Sequence, residues 1–290
     1  MSGAAPTSSS FDSRYAYTVL FTLAGMAIMV TYVETMVIPA FGNFEQFFDV
    51  HDASTIAWIL SAYLLVGVVV TPIFGRLGDL YGKKKILLIA MGVYAVAVTI
   101  AGFTPNIGAW AGLSRPNQIY VLIGVRAIQG VGMAMFPLGF AMLPEVFPAN
   151  RVGQAQGLLS GMFATGAAAG LVGGGWIAQN YGWQLTYHTV IPVAIFMFIV
   201  AAILIRESKI RRVLKIDIPG VTSLGLGLTF LMLGITEGAY WGWGTLNAVS
   251  FAGIPWGVPQ FFLLAAIAIR RNPRIITGFG PNRLVARPSG

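Results

Sequence analysis

Apolar runs long enough to cross a bilayer recur along this chain, and almost no charge interrupts them. Crossing about 30 Å of hydrocarbon takes about 20 predominantly apolar residues in a helix. Eight such runs can be read, at residues 16–38, 54–74, 86–104, 119–143, 154–178, 183–205, 218–240 and 246–269. Only Glu34, Arg126 and Glu237 carry a formal charge into them. Helices are the required form, because open sheet edges leave backbone groups unpaired in lipid. The prolines at 72, 137, 192, 255 and 259 are expected to be kinks that neighbouring helices tolerate. The first run is too long for a removable signal segment, and no small-residue cleavage site follows it. The predicted fold class is therefore all-α, a polytopic membrane helix bundle. Composition agrees: the 290 residues are 56% apolar and 10% charged, against about 25% charged in an ordinary soluble domain. A water-soluble enzyme and, with no cysteine, a disulfide scaffold are both excluded.

The net charge of +8 could suggest a nucleic-acid partner, but its distribution has a simpler cause. Short cytoplasmic loops retain Lys and Arg. With the N-terminus inside, 16 of the 18 basic residues fall on the cytoplasmic side; Arg115 is outside and Arg126 lies within a helix. The first outside loop holds Glu45, Asp49, His51 and Asp52 and no Lys or Arg. This predicts a multi-pass protein of the cell membrane with both termini cytoplasmic, whose partner is the lipid bilayer and not nucleic acid.

Four segments are expected: a disordered tail over 1–14, a six-helix bundle over 15–206, a basic linker with two further transmembrane helices over 207–276, and an irregular tail over 277–290. No G-x-x-x-x-G-K-[ST] loop is present, so ATP is not the energy source. No nucleophile, base or metal-spaced cluster converges, so neither a catalytic nor a metal site is assigned and the chain is not read as an enzyme. His188 is read as a packed histidine, and His51 has no metal-spaced companion.

Between the second and third runs lies Gly75-Arg76-Leu77-Gly78-Asp79-Leu80-Tyr81-Gly82-Lys83-Lys84-Lys85. Eleven residues suffice only for a tight turn, with Gly75 and Gly78 permitting close helix approach and Gly82 ending a helix. The positive-inside rule accounts for the lysines, but not for the Gly-x-x-Gly-Asp-x-x-Gly spacing.

The fourth run carries Leu122-x-x-x-Arg126-x-x-Gln129-Gly130-x-Gly132. A buried arginine costs about 2.5–3.5 kcal/mol on insertion scales unless it faces a cavity or a partner, which makes Arg126 a functional candidate. It sits about 10 Å into its span at 1.5 Å per residue, too deep for simple snorkelling. Gln129 shares its face, and Gly130 lets another helix come near. Glu34 lies at similar depth on an antiparallel helix. Two readings stand for it. Glu34 and Arg126 face one polar cavity, where burial and the arginine pull the carboxyl in opposite directions; or Glu34 is an interfacial acid reaching the headgroups. Tyr63 and Gln156 are the other polar residues placed at that cavity. Glu237, beside Trp241 and Trp243, is read as part of an interfacial aromatic belt.

Taken together, the 75–85 spacing and the 122–132 pattern resemble the loop 2–3 and helix-4 signatures of the major facilitator superfamily, with Leu80 departing from the usual basic residue. The resemblance implies that Gly75, Asp79, Gly82, Lys83 and Lys84 form a cytoplasmic gating loop that latches against the other half of a transporter. It also implies that Arg126 serves proton coupling. Small-residue spacings at Gly157/Gly161, Gly166/Gly170 and Gly170/Gly174 allow tight helix packing, as does Gly130. Their placement is similar to the family's helix-5 antiporter motif, with Leu171 where a bend-making Pro stands. The two last runs look like the linker helices of the fourteen-helix drug:proton antiporter branch, so the chain would be an N-terminal half plus two linker helices, truncated. The resemblance implies a secondary transporter for amphipathic drugs or small organic metabolites, coupled to H⁺ or Na⁺, with Glu34, Arg126, Gln129 and Tyr63 at the site and no cofactor. A missing C-terminal half or a second copy would be its partner. The competing expectation is a non-transporting membrane remnant or accessory subunit.

Overall fold

Helix starts are set by acidic caps and by glycine breaks. Asp12 accepts a hydrogen bond from the Tyr15 amide at 3.1 Å and begins α1 (Ser13–Thr35). A short 3₁₀ turn at Ile38–Ala40 leads into α2 (Phe41–Phe48), which Asp49 ends with a φ of 54°. Asp52 then caps α3 (Ala53–Tyr81), accepting from the Ser54 and Thr55 amides at 3.3 and 3.2 Å. The hydroxyls of Ser54 and Thr55 donate to the same carboxylate and hold it below the ordinary carboxylate range. These coordinates, a computed structural model, describe residues 11–208, 218–246, 249–251 and 254–270. The expected tail over 277–290 and most of the basic linker lie outside the described residues. So does most of the N-terminal tail, although Ser13 and Arg14, assigned to that tail, already belong to α1.

The chain divides into two compact units, Met1–Leu214 and Lys215–Gly290. In the first, α3 is followed by α4 (Lys83–Gly102), α5 (Thr104–Trp110), α6 (Arg115–Gln129), α7 (Met135–Val146), α8 (Ala149–Ala169), α9 (Gly175–Tyr181) and α10 (Trp183–Leu204). Among the described residues six helical stretches are long and apolar enough to span a membrane: Ser13–Phe48, Ala53–Tyr81, Lys83–Gly102, Arg115–Val146, Ala149–Tyr181 and Trp183–Leu204. They coincide with the first six apolar runs. Besides the first, which contains the Ile38–Ala40 turn, two of the six are locally rewound. A 3₁₀ turn at Gly130–Ala134 joins α6 to α7, and a π turn at Gly170–Gly174 joins α8 to α9. The helix-5 distortion therefore arises from a wide turn in a glycine-rich stretch, with Leu171 inside it.

The 75–85 segment differs from an eleven-residue turn. α3 runs through Gly75 and Asp79 to Tyr81, and Gly82 alone separates it from α4. Gly82 has a φ of +109°, and a Cβ there would stand 2.5 Å from Glu207 Oε1. A Cβ at Gly78 would stand 2.5 Å from the Leu138 side chain, whereas one at Gly75 would meet nothing within 4 Å.

The core of the first unit is filled from α1, α4, α6, α7 and α10, with Val30, Leu87, Met91, Ile119, Leu143 and Ala194 fully or nearly fully buried. α1 lies against α8 through small residues. A Cβ at Gly166 would stand 2.5 Å from the Ile28 carbonyl, one at Gly170 would stand 2.4 Å from the Tyr32 carbonyl, and one at Gly174 would stand 2.9 Å from Met36 Cα. The Thr35 hydroxyl donates across this contact to the Ala167 carbonyl at 2.9 Å. Gly157 and Gly161, on the same helix, face open space.

The second unit contains α11 (Ile218–Trp241), a two-stranded antiparallel ribbon of β1 (Val249–Phe251) and β2 (Ile254–Trp256), and α12 (Val258–Arg270). α11 has 24 residues, the length of a span. Within the expected eighth run, 246–269, the ribbon occupies 249–256 with Pro255 in a strand, and α12 follows with 13 residues, about 20 Å at 1.5 Å per residue. α11 and α12 pack on each other at Gly227 and Gly234, facing Ile269 and Phe262, and the Ser223 hydroxyl donates to the Ala268 carbonyl. Glu237, expected at an interface, is 5% exposed.

Candidate functional site

Arg126 is fully buried, at 0% exposure, in the interior of the six-helix unit. The sequence around it explains how it is held. Three residues on, Gln129 presents its carbonyl oxygen to Nη1 at 3.0 Å. One residue further, Gly130 removes the side chain that would keep α3 away. A Cβ there would stand 2.4 Å from the Tyr63 carbonyl and 2.9 Å from the Gly67 amide nitrogen. That approach brings the Ile59 carbonyl to 3.1 Å from Arg126 Nε. A helical carbonyl has a second lone pair, so Ile59 can accept from the arginine while serving its own helix. The guanidinium carbon also stands 4.7 Å from the Tyr63 ring centroid, a cation–π contact. Tyr63 is itself fully buried.

A guanidinium held on two edges and one face is an immobile charge. Arginine keeps its proton throughout the working pH range, so Arg126 acts as a fixed positive field. Glu34, half-buried on α1, lies within electrostatic reach of Arg126 without forming an ion pair with it at 4.0 Å or less. Of this pair, only the carboxyl can change charge.

Two residues that sequence reasoning missed stand beside this pair. Tyr94 of α4 and Tyr187 of α10 are fully buried and within electrostatic reach of Arg126. Tyr94 stands against Gln129 without meeting hydrogen-bond geometry. Its ring occupies the space that Gly132 leaves, where a Cβ would stand 2.4 Å from Tyr94 Cδ2. The glycine spacing of the fourth run was the available signal, since a second small residue two positions after Gly130 implies a second bulky neighbour. Gln156 lies on α8, where its backbone carbonyl accepts the Ser160 hydroxyl at 2.9 Å. The His188 ring packs 4.7 Å from that of Phe103, and exposed His51 lies 3.6 Å from Glu45 and 3.5 Å from Asp49.

The second polar cluster gathers at the α3–α4 turn. Lys83, 6% exposed, lies 3.2 Å from Asp79 and 2.6 Å from Glu145 at the end of α7. Glu145 had no sequence signal of its own. Lys84 donates through Nζ to the Ala202 carbonyl at 2.6 Å, and the Glu207 carboxylate accepts the Lys84 and Lys85 amides, each at 3.1 Å. A carboxylate at these orphan amides satisfies the start of α4 and meets the positive end of its dipole. This end of the unit is thus cross-linked within one chain, from α3 and α4 to α7 and the segment after α10.

Comparisons with known proteins agree with this architecture. The family model described as Major Facilitator Superfamily matches residues 20–280. Among curated relatives, the chain is 26% identical to the "Tetracenomycin C resistance and export protein" of Streptomyces glaucescens over 86% of its own length and 44% of that protein. It is 25% identical to "Multidrug resistance protein 3" of Bacillus subtilis (strain 168) over 97% of its length and 52% of that protein. The chain therefore spans about half the length of these relatives. A crystal structure of the POT family transporter PepTSo matches 88% of this chain and 51% of that one with a TM-score of 0.58 at 10% identity, a likeness of fold.

Proposed function

Since the chain belongs to the Major Facilitator Superfamily, a family of transporters and not of enzymes, we propose that it forms the N-terminal bundle of a proton-coupled exporter of amphipathic organic molecules. The observation that carries this reading is the pairing of a locked arginine with an acid that can change charge. Arg126 is fixed by Ile59, Gln129 and Tyr63, and Glu34 lies within its field. A carboxylate there can hold a proton or yield it when a cationic substrate arrives, which is the exchange an antiporter performs. Export is supported by the names of two relatives, one a resistance and export protein and one a multidrug resistance protein.

In this reading the coupling ion is H⁺, the protein lies in the cell membrane, and both termini are cytoplasmic by the positive-inside rule. Gly75, Asp79, Gly82, Lys83 and Lys84 belong to the cytoplasmic gate, with Lys83 tied to both Asp79 and Glu145. Alternating access rocks one bundle against another around a midplane site. The second bundle is a C-terminal half or a second copy. The full chain in proteoliposomes with a proton gradient should move a fluorescent amphipathic cation such as ethidium, and Glu34→Gln should abolish the gradient dependence. Gradient-driven movement that survives Glu34→Gln would remove Glu34 from the mechanism. A folded chain that moves no probe, either alone or reconstituted with a C-terminal bundle, would favour the second reading, a non-transporting accessory subunit. That reading draws on the single six-helix unit among the described residues.

A further inference from the structure

Five buried polar atoms around Arg126 have no hydrogen-bond partner among the described residues: Arg126 Nη2, Gln129 Nε2 and the hydroxyls of Tyr63, Tyr94 and Tyr187. Buried polar groups are nearly always paired, and each exception calls for an explanation. Five around one fixed charge are too many for packing accidents. They come from four different helices, α3, α4, α6 and α10, which converge on the same interior. They also have an end. One turn before Tyr187 on the same face of α10 is Trp183, whose indole nitrogen is likewise unpaired and whose ring lies 6.1 Å from that of Tyr187. Trp183 is ringed by Phe44, Phe47 and Phe48 of α2 at 5.0–5.6 Å. At the other end, Tyr63 and Tyr94 lie within electrostatic reach of Glu34.

We propose that Tyr187, Tyr94 and Tyr63 are proton-positioning residues, a file of hydroxyls bridged by internal water that passes a proton from the α2 end of the bundle to the buried side of Glu34. The inference rests on the reading of Glu34 as the coupling acid. Its physical content is that proton and substrate approach the same carboxyl from different sides, the proton from the bundle interior and the substrate from the exposed side. Arg126 sets the manner of transfer. A positive guanidinium repels a hydronium ion, so no free hydronium rests beside it. The transfer is concerted: the Tyr63 O–H bond breaks as an O–H bond forms on Glu34. The Tyr63 oxygen takes a proton passed on from Tyr94, Tyr94 takes one from Tyr187, and a hydronium ion in the water at the α2 end supplies the last and becomes neutral water. One proton enters, one arrives and no hydroxyl is left charged. Gln129 and Arg126 Nη2 donate to the bridging water and hold it in line.

The test uses the purified full chain in lipid nanodiscs, followed by infrared spectroscopy of the carboxyl stretch after a pH jump, with Glu34→Gln identifying the Glu34 band. Tyr94→Phe and Tyr187→Phe keep the rings and remove only the hydroxyls. Each should slow proton arrival at Glu34 on the order of a hundredfold, the scale of a positioned proton-transfer group, while the fold and the band itself persist. A purely structural role gives the opposite pattern, because removing an unpaired buried hydroxyl is neutral or stabilising. Unchanged arrival rates in both variants, with equal or higher thermal stability, would overturn the file. So would a Glu34 band that does not respond to the pH jump in the wild-type chain. If the file operates in nanodiscs while proteoliposomes move no ethidium with or without a C-terminal bundle, the relay stands and the transport reading falls.

Discussion

Replacing Gly130 with alanine adds one methyl group at the point where α3 meets α6, and the outcome can be worked from the geometry. The new Cβ would stand 2.4 Å from the Tyr63 carbonyl oxygen and 2.9 Å from the Gly67 amide nitrogen, where ordinary contact begins at 3.4 Å. Both neighbours are backbone, so no side chain can swing aside and the helices must part by about 1 Å, a shift at the overpacking scale. The Ile59 carbonyl moves with α3. Its hydrogen bond from Arg126 Nε, now 3.1 Å, then passes the limit of a useful contact. Overpacking costs about 1–3 kcal/mol, and a buried bond to a charged group contributes about 1.5–3 kcal/mol. The sum, roughly 2.5–6 kcal/mol, corresponds to a fall in melting temperature of roughly 5–25 °C for a unit of this size. The control is Gly161→Ala, where a Cβ meets nothing within 4 Å; it should be neutral or stabilising by up to about 1 kcal/mol through helix propensity. Thermal unfolding of the two variants in the same detergent makes the comparison. Equal stability of Gly130→Ala and Gly161→Ala would refute the close approach and with it the account of how Arg126 is held.

The remaining expectations concern single side chains. Arg126→Lys keeps the charge but cannot hold Ile59, Gln129 and the Tyr63 face at once, so gradient-driven ethidium movement should fall at least about tenfold, the loss of about 1.5 kcal/mol for one hydrogen bond to a charged group; full activity would show that charge alone suffices. Lys83→Met leaves the Glu145 and Asp79 carboxylates facing each other without their cation, and should cost about 3 kcal/mol. Adding Glu145→Gln should recover part of that loss in a double-mutant cycle, and strict additivity would argue against the pair. Glu207→Ala frees the Lys84 and Lys85 amides and should cost about 1 kcal/mol, the usual worth of a helix cap, read as earlier deuterium exchange at the start of α4. The Asp52 carboxyl is held below its ordinary range by Ser54 and Thr55. Its cap is therefore fully present above the unfolded pKa of about 4 and is lost as pH falls through the lower folded value. Amide NMR signals of residues 53–56 should report that acid fraying, and Asp52→Asn should remove its pH dependence.

Arg126 and Gln129 were legible because their spacing is local, three residues on one helix. Tyr94 and Tyr187 were not, because nothing within α4 or α10 says that their faces meet Arg126. The same contrast runs through the α3–α4 turn. The sequence placed Asp79 beside Lys83, four residues apart, whereas Glu145 is separated from Lys83 by 62 positions. The misjudged eleven-residue turn has a similar origin. Charges at 76, 79 and 83–85 look like solvated loop, yet Lys83 is buried by its carboxylate partners and the helices continue through the charged stretch. Mean apolarity over 246–269 could not mark the ribbon at 249–256 that precedes α12, because it does not distinguish a continuous helix from a ribbon followed by a short helix.

From the chain alone came the medium, the first six spans and the identity of the charged groups carried inside them. Lipid demands long uninterrupted apolar helices, and that requirement is written residue by residue along the sequence. Which helix faces meet was decided only in three dimensions. In a bilayer every face of these helices is apolar, so no alternation of oily and polar residues marks the contact side. The contacts are chosen instead by glycines that admit a neighbour and by polar atoms seeking partners. So it is the lateral packing of α3 and α6 at Gly130 that turns Arg126 from an expensive residue into a fixed charge beside Glu34.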